Sequence, residues 1–104
     1  MTTIAGTLGP GDGDAELSGE RIDEIARCEG FRIEHVTSGV VVTPVEFIQA
    51  HDEWVVVLSG SARLEVGGEQ HQLGPGDWVL IPTAVGHRLL QVEPGTRWLA
   101  VHDR

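Results

Sequence analysis

The chain has 104 residues, enough for one small domain with a single modest core. Its seven basic residues, all arginine, against sixteen acidic ones give a net charge of −9, which disfavours nucleic acid and anionic membrane surfaces, because phosphate binding draws on clusters of Lys and Arg. No run of about 18 apolar residues is present to span a bilayer, no basic and apolar leader opens the chain, and the lone Cys28 rules out an intrachain disulfide, so a reducing cytoplasm is the expected location.

Residues 1–19 interleave Gly6, Gly9, Pro10, Gly11 and Gly13 with Asp12 and Asp14, the composition of a flexible arm. Residues 20–104 are expected to form one domain. Over residues 20–29, Ile22, Ile25 and Ala26 have helical spacing, but the next segment alternates Phe31, Ile33 and His35 against Arg32 and Glu34 as a half-buried strand does. With Glu29-Gly30 as a hairpin turn, residues 21–28 read as a strand too. Cys28, beside Glu29 and with no adjacent cation, reads as an inert thiol near that turn.

After Ser38-Gly39 a strand is expected from Val40 to Ala50, with Pro44 marking an edge or a bulge because it cannot donate a ladder bond. Glu53 to Leu58 is apolar throughout after its first residue, as in a strand covered on both sides, with Glu53, Val55 and Val57 on one face. Gly60 turns the chain into Ala62 to Val66. Gly67-Gly68 then makes a two-residue hairpin, since both positions can take positive φ. Gly74-Pro75-Gly76-Asp77 precedes an apolar strand that Pro82 stops, and Pro94-Gly95 joins His87–Glu93 to Thr96–His102 as a type II turn. Roughly eight strands at such intervals predict an all-β protein, a small barrel of two facing antiparallel sheets. Val55, Val57, Leu64, Val66, Val79, Ile81 and Leu89 are its expected interior. At least two of Trp54, Trp78 and Trp98 are expected in the core.

Of the five histidines, His35 and His71 read as packed, hydrogen-bonded strand residues, and His102 is expected to stay outside any site although it shares a strand face with Trp98 and Ala100. His51, Glu53 and His87 differ. Imidazole and carboxylate together suit divalent first-row metals, and Gln49 adds a neutral oxygen. On an extended strand Gln49, His51 and Glu53 share a face, although by spacing alone His51-Asp52-Glu53 reads equally as a polar loop.

These residues resemble the cupin superfamily of small single-domain proteins over about residues 40–102. Glu53, six residues and Gly60 follow the second half of the first cupin motif, G-x5-H-x-H-x3-4-E-x6-G. Gly76, Pro82 and His87 follow the second, G-x5-P-x-G-x2-H-x3-N. The two histidines of the first motif map to Phe47 and Gln49, and the glycine and asparagine of the second to Ala84 and Gln91. The chain looks like a subgroup with Gln in that place and an acidic stretch leading into Glu-Trp. The resemblance implies a jelly-roll β-barrel and a divalent iron, manganese, nickel or zinc ion held by Gln49, His51, Glu53 and His87. It also implies a small organic ligand, oxygenase, isomerase or hydrolase chemistry, and a homodimer paired through an edge strand. The alternative is a cupin module that binds a small molecule without metal or turnover.

Overall fold

The computed structural model describes residues 4–8, 19–41 and 43–103. Most of the expected arm, residues 1–3 and 9–18, lies outside them. Nine strands are described: β1 Glu20–Arg27, β2 Phe31–Ser38, β3 Glu46–Phe47, β4 Glu53–Ser59, β5 Ala62–Val66, β6 Glu69–Leu73, β7 Trp78–Ile81, β8 His87–Val92 and β9 Thr96–Asp103. They form a five-stranded sheet in the order β1-β2-β9-β4-β7 and a four-stranded sheet in the order β3-β8-β5-β6. Every neighbouring pair is antiparallel. The all-β expectation and the strand reading of residues 21–28 both hold.

Alternation builds the core. Val55 and Val57 of β4, Leu64 of β5, and Val79 and Ile81 of β7 are buried, with Val66 and Leu89 partly buried against them. Ala62, Leu73, Trp98 and Ala100 complete the core. At about 25 cal/mol per Å² of apolar surface removed from water, burial on this inner face is the main stabilising term.

The turns follow their glycines. Gly67 and Gly68, at φ 57° and 83°, close the β5–β6 hairpin. Gly60, at φ 91°, carries the chain from β4 to β5 against the backbone and hydroxyl of the fully buried Thr96. That hydroxyl donates to the Glu93 carbonyl at 2.6 Å and accepts from the Ser61 amide at 3.2 Å.

Two expectations are corrected. The strand drawn from Val40 to Ala50 reduces to Glu46–Phe47, after an isolated bridge at Val40. The ladder ends at Phe47, so Gln49 comes from the loop between β3 and β4 rather than from a strand. Only Trp98 among the tryptophans is core. Trp54 is half-buried and Trp78 exposed, their rings 6.0 Å apart on the outer face of the five-stranded sheet.

His35 is buried as expected and accepts a hydrogen bond from Arg97 Nε at 3.0 Å. His71 is half-buried. Burial and then the Arg97 charge hold the His35 pKa below 6.5, with Arg21 adding to and Asp23 opposing the shift. The folded protein therefore keeps His35 neutral where the unfolded chain begins to bind a proton. The associated stability is present above about pH 6.5 and is lost as pH falls through the lower folded value. The unfolding temperature should drop between about pH 7.5 and pH 5.5, and the His35→Gln variant should show a shallower drop. Equal slopes in scanning calorimetry would show that His35 is not responsible.

Candidate functional site

The loop leading into β4 is fastened at three points. The Gln49 carbonyl accepts from the Ala84 amide at 2.8 Å, and the Asp52 carbonyl from the Asp103 amide at 3.0 Å. Asp52 Oδ1 accepts from both the amide and the hydroxyl of Thr83, at 2.8 and 2.9 Å. Those two bonds hold the Asp52 carboxyl below its usual range, the amide contributing most. Ala84 sits at φ 65°, a left-handed conformation that costs an L-residue about 1–2 kcal/mol. This is the position where the second cupin motif has glycine, so the turn keeps the glycine geometry without the glycine.

From this frame Gln49, Glu53 and His87 all reach one cavity of about 270 Å³ between the two sheets. Glu53 opens β4 and His87 opens β8, where it faces Phe47 of β3 with ring centroids 5.8 Å apart. Gln49 Nε2 donates to Glu53 Oε1 at 2.7 Å. His87 Nδ1 is buried and has no hydrogen-bond partner among the described residues.

His51 does not line the cavity; its Nε2 lies 2.9 Å from Nδ1 of the buried His102. His102, on β9 directly opposite Glu53, does line it. Its Nε2 is 2.9 Å from Glu34 Oε1 and 3.7 Å from Glu53 Oε2. An ionised carboxylate only accepts, so His102 Nε2 carries the proton. In the neutral ring Nδ1 then accepts, and His51 is the donor. His102 and Glu34 are the site residues that sequence reasoning passed over. The period-2 face shared by Trp98, Ala100 and His102 was the available signal.

The remaining wall is apolar: Val55, Leu64, Ile81, Leu89, Trp98 and Ala100, with Ile22, Val36 and Phe47 toward β1 and β3. Glu20, Glu34 and Glu53 supply three carboxylates, and no arginine is among the described lining residues. As folded, the donors available to a metal are Glu53, His87 and the neutral Gln49, while His51 is engaged with His102. Among the described residues no three His, Cys, Asp or Glu side chains are grouped to hold a metal ion. The arrangement therefore does not fit a resident first-row metal, which usually takes three or more such ligands.

The Cupin domain family model matches residues 33–102. No curated protein matches the chain. Among solved structures, a protein described as a candidate mannose-6-phosphate isomerase from Ralstonia eutropha JMP134 is 29% identical, over 94% of this chain and 98% of its own, with a TM-score of 0.78. KdgF from Halomonas sp. is 25% identical over 82% of this chain and 78% of its own, with a TM-score of 0.71. A salicylate 1,2-dioxygenase variant from Pseudoaminobacter salicylatoxidans shares the fold at 18% identity and a TM-score of 0.72. The match covers 82% of this chain and 26% of the dioxygenase.

Proposed function

Because the chain belongs to the cupin domain family, we propose that it binds a compact organic molecule, uncharged or cationic, in the cavity between its two sheets. The observation that carries this reading is the cavity itself, where Gln49, His87, His102 and the carboxylates of Glu20, Glu34 and Glu53 line an otherwise apolar wall. Cavities for small organic ligands begin at about 300 Å³, so 270 Å³ suits a single ring or a short polyol. Glu20, Glu34 and Glu53 keep the lining acidic even with Arg32 Nε 3.6 Å from Glu34 Oε2, which favours hydroxyl and ammonium donors over phosphate or carboxylate groups. The sugar phosphate in the name of the Ralstonia protein thus does not carry over to this chain.

Thermal-shift titration with small polyols, amines and their phosphorylated or carboxylated counterparts tests the proposal. A ligand at about 100 times its Kd should stabilise the fold by about 2.7 kcal/mol. The effect should come from uncharged or cationic compounds only and be lost in Glu53→Ala and His87→Ala. Selective stabilisation by anions would overturn the ligand class. The metal-dependent reading, with Gln49, Glu53 and His87 as ligands and His51 turned inward, has in its favour that the first three line one cavity. Stoichiometric metal in protein purified without chelator, absent from a Glu53→Ala/His87→Ala variant, would put that reading first.

A further inference from the structure

The inner face of the five-stranded sheet changes character along its strands, and register lays it out in rows. Glu20 of β1 stands opposite Ser38 of β2 at one end of the cavity. The next row is apolar, with Ile22, Val36 and Trp98 side by side across β1, β2 and β9. Beyond it comes Glu34 of β2, and then Glu53 of β4 opposite His102. All of these but Ser38 line the cavity. Glu34 and Glu53 converge there, with oxygens 2.9 and 3.7 Å from the same His102 Nε2. The cavity is thus acidic at both ends and apolar between them. The Ser38 hydroxyl accepts from Trp98 Nε1 at 3.1 Å, so its own hydrogen goes to Glu20 Oε2, 2.9 Å away. Glu53 Oε1 accepts from the Gln49 amide at 2.7 Å. Both of these carboxylates rest on neutral donors, whereas Glu34 also has Arg32 Nε at 3.6 Å.

We propose that the ligand of this cavity is a linear aliphatic diamine, with one ammonium held by Glu20 and the other where Glu34 and Glu53 converge. This rests on the reading that the cavity takes an organic ligand, and narrows it to one class. An ammonium leaves water only against a charged partner, while methylenes gain by contact with Ile22, Val36 and Trp98. Four residues of β2 separate the Glu20 row from Glu34, about 13 Å of strand. Two ammonium–carboxylate bonds of about 2.8 Å each leave roughly 7 Å between the nitrogens, the span of about five methylenes. A monoamine satisfies one end only, and a polyol has no charge to set against either. The net charge of −9 draws a dication from solution.

Calorimetric titration of the full chain at low salt tests this with the three-, four- and five-methylene diamines, pentylamine and the five-carbon diol. The five-methylene diamine should bind about 10-fold or more tighter than pentylamine or the diol, as a charged hydrogen bond gained at the second end requires. The three-methylene diamine, too short to reach both ends, should bind no tighter than pentylamine. Glu20→Gln keeps an acceptor for Ser38 and should weaken the five-methylene diamine about 10-fold, with an unchanged circular dichroism spectrum. Glu69→Gln removes the same charge from β6, outside the cavity, and should leave that affinity within about twofold. Equal binding of diamine, monoamine and diol, or equal losses in the two variants, would overturn the diamine and leave the cavity reading standing. So would the absence of diamine binding where a polyol or a monoamine stabilises the fold. If no organic compound binds, both readings fall.

Discussion

Replacing Gly60 by alanine should lower the unfolding free energy by about 3–5 kcal/mol, among the larger effects of a single substitution. A Cβ there would lie 2.3 Å from Thr96 Oγ1, 2.8 Å from Thr96 Cα and 2.9 Å from Thr96 Cβ, and Thr96 cannot retreat because it is fully buried and backbone-bonded. The φ of 91° adds the strain of a side chain in a glycine conformation. Gly68→Ala provides the control: its φ is 83°, yet nothing lies within 4 Å of the added carbon. Gly68→Ala should cost about 1–2 kcal/mol from the backbone alone. The difference between the two variants in urea denaturation isolates the collision with Thr96, and equal losses would refute it.

The second large effect is expected at Trp98. Its side chain is buried in the core and also walls the cavity, and its indole Nε1 donates to Ser38 Oγ at 3.1 Å. Ser38 Oγ in turn donates to Glu20 Oε2 at 2.9 Å, tying β9 through β2 to β1. Trp98→Ala should cost about 3–5 kcal/mol, a large share of the 5–15 kcal/mol that such domains possess. Trp98→Phe retains most of the bulk and should lose about 1–2 kcal/mol through the missing donor. Chemical denaturation of both variants checks this. A Trp98→Ala loss no larger than that of Trp98→Phe would mean that the hydrogen bond, not the packing, accounts for the contribution of Trp98.

How much of this was legible follows from the kind of signal each residue carries. The period-2 pattern alone places Val55 and Val57 inside, because burial on a strand is a local property of alternation. The same parity puts Trp54 and Val56 on the outer face, but a strand apolar on both faces reads as covered on both, so their half-exposed placement is hidden by the strand's own hydrophobicity. His102 was harder. A histidine on an apolar strand face looks alike whether it is packed in a core or set at a cavity. Only the placement of β9 between β2 and β4 brings it beside Glu34 and Glu53. The position of Gln49 hung on where the chain after Pro44 stops pairing, which is decided by long-range register and not by local propensity.

That placement of β9 bears on the order in which the protein can be made. Its neighbours β2 and β4 do not pair with each other; both pair with β9, the last of the described strands. A nascent chain leaving the ribosome can close the β1–β2 and β5–β6 hairpins early, since their partners are adjacent in sequence. The larger sheet stays split into two unpaired edges until residues 96–103 emerge, so its assembly waits for β9 rather than proceeding along with the synthesis of the strands before it.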